Sequence, residues 1–180
     1  MRAVYEAGPG CRQRTRRRAE VRRRAPRYRR SPPATGERVR FAARDWPAFP
    51  DSAQALAALQ RRYRLAIVSN VDDDLFAASA RRLGVAFDWI VTAEQVRSYK
   101  PAPAHFLRAI ERIGLPRDSL LHVAQSLYHD VAPARSLGLS TVWVNRRLGK
   151  AGSGATPAAQ AEPDFTVPDL RALASAMGLT

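Results

Sequence analysis

Several features are scarce in this sequence, and each scarcity limits what the chain can do. Cys11 is the only cysteine, which excludes an intrachain disulfide and a metal cluster built on several cysteines, and fits a reducing, cytoplasmic compartment. No apolar run approaches the roughly 20 residues that cross a bilayer, so no membrane span is predicted. The only lysines are Lys100 and Lys150, and no aspartate precedes Asp45.

Positive charge is concentrated at one end of the chain. Residues 1–40 hold 14 of the 30 basic residues and three of the 16 acidic ones, which gives them +11 of the net charge of +14. Arg runs broken by Pro and Gly cannot bury enough apolar surface to offset the entropy of ordering them. We therefore predict a basic, disordered segment over 1–40 and one core domain over 41–180. An out-of-frame reading of GC-rich DNA would give the same excess of Arg, Pro, Gly and Ala, and is a second interpretation of this segment.

From residue 51 onward, short apolar strands alternate with helices. The predicted helices are 51–62, with Asp51 or Ser52 as its cap, 73–83, 103–113, 131–137 and 169–177, and the predicted strands are 65–68, 89–91, 120–124, 141–144 and a short one near Phe165. Several of these helices end at a glycine, which is a C-cap signal, and the alternation is typical of βαβ units. The sequence predicts an α/β fold with a Rossmann-like parallel sheet and flanking helices.

Polar residues follow two of these strands at their carboxyl ends, where loops converge in a parallel sheet. Ser69 and Asn70 come directly after strand 65–68, and their side chains with the nearby N–H groups suit an anion; a plain helix-capping turn is the alternative. Lys100 precedes Pro101, whose fixed φ directs the chain, and suits neutralisation of a carboxylate. For Lys100 the alternative is a solvated loop lysine.

Asp130 lies beyond strand 120–124, five residues after Gln125. Its carboxylate has three interpretations: it contacts a metal ion, it orients Lys100, or it caps the helix that begins at Val131. The sequence alone does not choose among them.

Other polar residues receive structural interpretations. His122 lies inside a strand and is predicted to be a core histidine, and His105 lies on a helix. His129 is predicted to be a packing residue, with contact to the site as the alternative. The acids of 72–74 suit the first turn of a helix, where the helix dipole favours them. Successive residues on a helix point in different directions, which argues against a metal site there.

In their order and spacing, Ser69-Asn70, Lys100 before a proline and the turn with Asp130 resemble the haloacid dehalogenase (HAD) superfamily, and most closely its 2-haloacid dehalogenase-like hydrolases. The likeness covers roughly Arg44 to Gly178. It implies a Rossmann-like core in which an aspartate on the first strand attacks substrate carbon or phosphorus and forms an ester that water hydrolyses. By this resemblance Ser69 and Asn70 hold the substrate anion, Lys100 keeps the nucleophilic carboxylate ionised, and Asp130 orients Lys100 or binds Mg²⁺.

The sequence departs from the family pattern in two places. The family's first motif, an apolar strand that ends in Asp before a Gly-Thr turn, has no counterpart in this sequence. The helical cap that normally follows that strand has no counterpart either. We therefore expect a truncated core that is inactive as written. Gln125 stands where the superfamily's phosphatases carry an acid, which disfavours Mg²⁺, and no cofactor is expected. Leu127 replaces the dehalogenases' own polar residue. The expected substrate is a small molecule, a 2-haloacid or a phosphate ester.

A non-catalytic role is the alternative function. Arg16–Arg18 and Arg22–Arg24, with Tyr28 for stacking, suit non-specific binding to nucleic acid or to an acidic partner. Loss of a central strand would also leave unpaired strand edges, which favours a homo-oligomer.

Overall fold

A computed structural model describes residues 46–149 and 159–179 of the chain. The basic segment predicted over 1–40 lies outside these residues. No helix within them is long and apolar enough to cross a bilayer.

The described residues form helices on parallel strands. The helices are α1 (Ser52–Gln60), α2 (Asp73–Leu83), α3 (Ala93–Val96), α4 (Ala104–Ile113), α5 (Ala132–Ser136) and α6 (Leu170–Ala176). The strands are β1 (Ala66–Ser69), β2 (Trp89–Thr92), β3 (Leu121–Ala124), β4 (Ser140–Val144) and β5 (Phe165–Val167). A 3₁₀ turn, Arg117–Ser119, precedes β3. The predicted α/β fold with parallel strands and flanking helices is confirmed.

The strands form two parallel sheets, β1–β2 and β3–β4–β5. Within the described residues β1 pairs only with β2 in the first sheet, and β3 pairs only with β4 in the second sheet. Among these residues, β1 and β3 therefore each have one edge without a partner strand. Both are half-exposed or exposed along their length, whereas β2 and β4 contain fully buried residues.

Helices cover these strands through two apolar clusters. The first joins α1 and α6 to β4 and β5, and its buried members are Leu59, Val142, Val144, Val167 and Leu173. The second joins α4 to α5 and the approach to β4, and its buried members are Phe106, Ala134 and Leu139. Helix α4 also packs on β1 and β2. It therefore contacts the first sheet and the apolar cluster beside the second one.

Helices α2 and α4 end at glycines, as predicted. Gly84 and Gly114 have φ of 67° and 66°, a left-handed conformation that a Cβ disfavours. Each donates its N–H to a carbonyl of the preceding turn and so ends the helix. These stops allow β2 and β3 to begin shortly afterwards.

Asp51 occupies the N-cap position of α1, but its side chain makes no capping hydrogen bond there. Its carboxylate instead binds the guanidinium of Arg146 and the backbone N–H of Leu170, in the first turn of α6. The prediction that Asp51 caps α1 through its side chain is therefore wrong. A charged partner and a second helix N-terminus compete for the same oxygens, and both lie far from Asp51 in sequence.

The chain between β3 and α5 also differs from prediction. The helix predicted over 131–137 is shorter, and a wide π-type turn, Leu127–Val131, precedes it. Ser126 caps this turn, because its Oγ accepts from the N–H of His129 at 3.0 Å. Pro133, in the first turn of α5, has no N–H and so cannot donate a helical hydrogen bond to a carbonyl of the preceding turn. Asp130 therefore lies inside the turn, and its interpretation as a helix cap is wrong.

Candidate active site

The side chain of Lys100 links the two sheets. Its Nζ donates to the backbone carbonyl of Val68 in β1 at 2.7 Å and to Oδ1 of Asp130, in the turn after β3, at 2.6 Å. The two charged side chains are only 9% and 10% exposed. Removing both charges from water is costly, and their attraction together with additional hydrogen bonds offsets that cost. Lys100 is thus no solvated loop lysine, and this alternative is wrong.

Asn70 clamps the backbone of Lys100. Its Oδ1 accepts from the N–H of Lys100 at 2.7 Å, and its Nδ2 donates to the carbonyl of Lys100 at 3.1 Å. Both ends of the amide are therefore used on one residue, 30 positions along the chain. The amide binds this backbone and not the N-terminus of α2, so the helix-capping interpretation is wrong for Asn70.

Ser69 is the last residue of β1 and lies opposite Thr92 of β2. The sequence predicts that the strand ends at residue 68, one residue earlier than it does. Because it lies between Val68 and Asn70, both of which bind Lys100, its half-buried side chain is at the same edge of the sheet. The structure thus brings Ser69, Asn70, Lys100 and Asp130 to one place.

The Asp130 carboxylate has a second partner. Oδ1 lies 3.4 Å from Nε2 of His122, a side chain of β3 that is 13% exposed. Burial by itself would raise the pKa of Asp130. The hydrogen bond from His122 and the charge of Lys100 outweigh burial and lower the pKa below its ordinary value. Asp130 is therefore ionised at neutral pH and pairs with Lys100 as a carboxylate.

His105 of α4 is fully buried and lies near enough to Lys100 and Asp130 to interact with their charges. Neither ring nitrogen makes a hydrogen bond of normal geometry. Burial, and then the positive charge of Lys100, lower the pKa of His105 to about 4, although the Ser69 backbone and Asp130 act in the opposite direction. His105 is thus neutral at physiological pH and adds no charge to the site.

Several contacts fix the turn that carries Asp130. Oγ of Ser126 lies 3.2 Å from Nδ1 of His129, and the His129 ring packs edge-on against Tyr128. The carbonyl of Gln125 accepts from Nε1 of Trp143, in β4, at 2.8 Å. The start of the turn is thereby tied to the neighbouring strand.

The donor groups do not suit a divalent cation of the Mg²⁺ type. Oδ1 of Asp130 already accepts from the Lys100 ammonium, and the exposed residue at the start of the turn is Gln125, which supplies no charge. Mg²⁺ is usually held by one or two carboxylates together with substrate oxygens. Across residues 46–149 and 159–179 there is no group of three or more His, Cys, Asp or Glu side chains that could hold a metal.

Sequence reasoning missed three contributors to this site: His122, His105 and the Val68 carbonyl. The sequence predicts a core histidine at His122, and its ring does pack edge-on against Phe106 with ring centroids 5.1 Å apart. A titratable residue within an otherwise apolar strand, eight positions before Asp130, is the only sequence signal for their contact. A backbone carbonyl carries no sequence signal at all.

Comparison with known proteins agrees with this geometry. A family profile described as haloacid dehalogenase-like hydrolase matches residues 5–138. That range begins inside the basic segment, and so includes residues outside those that the structure describes.

Three similar proteins illustrate the range of relatives. Haloacetate dehalogenase H-2 of Moraxella sp. (strain B) is 34% identical over 134 residues, which are 69% of this chain and 54% of that protein. Phosphoserine phosphatase of Thermus thermophilus is 30% identical over 131 residues, 71% of this chain and 50% of that protein. The L-2-haloacid dehalogenase of Xanthobacter autotrophicus with chloropropionic acid covalently bound is 26% identical with a TM-score of 0.66, covering 82% of this chain and 68% of that one. The chain spans about half the length of the curated relatives it matches.

Proposed function

Because the chain belongs to the haloacid dehalogenase-like hydrolase family, we propose that it carries the hydrolytic core of a cytoplasmic 2-haloacid dehalogenase-type enzyme. In this reaction a carboxylate oxygen attacks the carbon that bears the halogen, and the halide leaves with the bonding electrons. Water then attacks the carboxyl carbon of the ester, which releases a 2-hydroxy acid and restores the carboxylate. The buried Lys100–Asp130 ion pair, in which Lys100 also binds the Val68 carbonyl of β1, is the observation that carries the proposal.

Lys100 is the group that would hold the attacking carboxylate. An ammonium has three N–H donors. Among the described residues, the Val68 carbonyl and the Asp130 carboxylate accept hydrogen bonds from two of them. One donor is left for a carboxylate between β1 and β3. The neighbouring positive charge would keep such a carboxylate ionised, and so nucleophilic, at neutral pH.

Ser69 and the backbone that follows it would bind the anionic end of the substrate. The Ser69 hydroxyl lies at the carboxyl end of β1, where the chain turns towards α2. The Asn70 side chain is used to hold Lys100, so we assign it a positioning role, and we assign anion binding to the hydroxyl of Ser69 and to backbone N–H groups of this turn.

The first 44 residues contain no aspartate that could serve as the nucleophile. We therefore propose that the chain as written does not turn over a haloacid. Gln125 in place of an acid favours chemistry on carbon over metal-dependent phosphate ester hydrolysis.

Halide release tests the proposal. Two proteins are assayed with chloroacetate and L-2-chloropropionate, and with p-nitrophenyl phosphate plus Mg²⁺: the chain as written, and a chimera in which residues 1–45 are replaced by the corresponding N-terminal part of the Moraxella haloacetate dehalogenase. Only the chimera is expected to release halide. Lys100→Ala in the chimera should lower kcat/KM by at least about 100-fold, since an electrostatic contact made in the transition state is lost. Lys150→Ala is the matched control.

Three results would contradict this assignment. Halide release by the unmodified chain would show that the missing aspartate is not required. Near-normal turnover of the Lys100→Ala chimera would remove the assigned role of Lys100. Release of phosphate but not of halide by the chimera would move the substrate class to phosphate esters.

The charge of the first 40 residues favours a second candidate, a non-catalytic core whose basic segment binds nucleic acid or acidic partners. That segment lies outside the described residues. Binding of this kind should weaken steeply as salt concentration rises, and should disappear when residues 1–40 are deleted. Fluorescence anisotropy with a labelled single-stranded oligonucleotide tests both points, and binding that survives the deletion would refute this candidate.

A further inference from the structure

His122 and Lys100 meet at the same oxygen. Oδ1 of Asp130 lies 2.6 Å from Nζ of Lys100 and 3.4 Å from Nε2 of His122. Asp130 and His122 are both largely buried, so few water molecules compete for this contact. The carboxylate thus has a donor from the loop after α3 and a second polar neighbour on β3.

The His122 ring is held in place on its other side. Phe106 of α4 meets it edge to face, with ring centroids 5.1 Å apart and planes inclined at 69°. Phe106 is itself fully buried in the second apolar cluster. The imidazole therefore has two separable contacts, an aromatic one with Phe106 and a polar one with Asp130.

We propose that His122 is a positioning residue of this site, which acts through Asp130: its Nε2–H holds the carboxylate in the orientation that Lys100 requires. The inference rests on the proposed function only in that it concerns the same site. A carboxylate in a turn can rotate about its side-chain bonds, and a second donor on the same oxygen restricts that rotation. Asp130 then stays a fixed partner of Lys100. Together with the Val68 carbonyl, it sets the direction of the remaining N–H of the ammonium.

Competing explanations assign His122 to packing alone. A histidine that only fills space against Phe106 should be replaceable by phenylalanine without effect on Lys100. A histidine that acts through Nε2 should be replaceable by glutamine, whose Nε2 is also a donor, but not by phenylalanine. The pair His122→Phe and His122→Gln therefore separates the two roles, because each variant keeps one contact and loses the other.

The readout is the acylation rate of Lys100 in the full chain. The protein is treated with N-hydroxysuccinimidyl acetate, and peptide mass spectrometry measures Lys100 relative to Lys150, the only other lysine. In His122→Phe the relative rate for Lys100 should rise about fivefold, the factor that corresponds to loss of one hydrogen bond of about 1 kcal/mol. In His122→Gln the rate should stay within about twofold of the wild-type rate.

Any other pattern overturns the proposal. An unchanged rate in His122→Phe with a raised rate in His122→Gln would assign His122 to packing against Phe106. Equal increases in both variants would show a general loosening, which a shift of the urea midpoint would reveal. The assay needs no turnover, so its result is independent of whether the chain or its chimera hydrolyses haloacids.

A measurement on the wild-type chain covers the case in which His122→Phe does not fold. Two-bond ¹H–¹⁵N correlation spectra at neutral pH distinguish protonated from unprotonated imidazole nitrogens. The proposal requires a proton on Nε2 of His122, since only then can this atom donate to Asp130. An unprotonated Nε2 would overturn it.

Discussion

Arg146 and Asp51 form a two-point ion pair across 95 residues of the chain. The two guanidinium nitrogens of Arg146 lie 2.8 and 2.9 Å from the two carboxylate oxygens of Asp51. The guanidinium also stacks over the ring of Phe49, 4.0 Å from its centroid. Since Asp51 binds the N–H of Leu170 as well, this contact joins the start of α1, the end of β4 and the start of α6.

Replacement of Asp51 by alanine should destabilise the protein by about 3 kcal/mol, because it leaves a largely buried guanidinium without its partner. Urea denaturation followed by circular dichroism measures this loss. Asp118→Ala is the control, since Asp118 lies exposed in the turn before β3. Equal losses in the two variants would show that the ion pair contributes nothing specific.

The same carboxylate makes stability depend on pH. The hydrogen bond from Arg146 is the main cause that lowers the pKa of Asp51 from its ordinary value of 3.8; burial opposes it, and the Leu170 N–H adds to it. The resulting stabilisation is fully present above the ordinary pKa and is lost as the pH falls through the lowered one. The difference in unfolding free energy between wild type and Asp51→Ala should therefore shrink below about pH 4. A difference that stays constant down to pH 2.5, roughly the acid limit of such titrations, would contradict this.

His105 should make stability depend on pH over a different range. In the unfolded chain it takes up a proton near its ordinary pKa of 6.5, but in the folded protein only at about 4. Between these values the unfolded state binds more protons, so the unfolding free energy should fall as the pH falls, by at most about 1.4 kcal/mol per pH unit. His105→Leu should remove this slope and be more stable than wild type at about pH 5, since the unpartnered imidazole is gone. Parallel pH profiles for the two proteins would refute the prediction.

Asn70→Ala should cost about 1–2 kcal/mol of unfolding free energy, because two hydrogen bonds to the backbone of Lys100 are lost. It should also speed the acylation of Lys100 relative to Lys150. Asn145→Ala is a matched control at the only other asparagine: its Oδ1 accepts one hydrogen bond, from the N–H of Arg147, outside the site. If both variants acylate Lys100 at the same rate, Asn70 does not clamp this loop.

Among the described residues one edge of β3 has no partner strand, which predicts self-association. Leu121, in this strand, is 44% exposed, and lysine on a strand edge opposes edge-to-edge pairing. Leu121→Lys should therefore reduce the fraction of dimers or larger species in sedimentation velocity. Leu115→Lys, at a loop residue that is 49% exposed, should leave that fraction unchanged. A monomeric wild-type chain at high concentration would contradict the prediction.

The sequence predicts the α/β order well because the signals for it are local. Apolar runs, glycines after helices and polar residues at strand ends all act within a few positions, and α2, α4 and the glycines that end them lie as expected. The same signals identify Ser69, Asn70, Lys100 and Asp130 as candidate site residues. What they do not give is the pairing between these residues.

The predictions that failed concern side chains whose partners lie far away in the sequence. Asp51 follows the rule for a helix cap, but a guanidinium 95 residues away outcompetes the nearby N–H groups. Asp130 precedes a helix as a cap would, but the Ser126 side chain caps the turn through the N–H of His129, and the Asp130 carboxylate pairs with Lys100. Local propensity identifies the candidates, and tertiary charge pairing decides among them.

The hydrogen bond from Trp143 to the Gln125 carbonyl has an optical consequence. Trp46 is 73% exposed, and Trp89 lies beneath the guanidinium of Arg64, 4.4 Å from its ring centroid. Trp143 is the tryptophan whose indole is bonded to the start of the turn that carries Asp130. With Trp46 and Trp89 replaced by phenylalanine, its intrinsic fluorescence becomes a reporter of that turn, so ligand entry can be followed in real time without an attached dye.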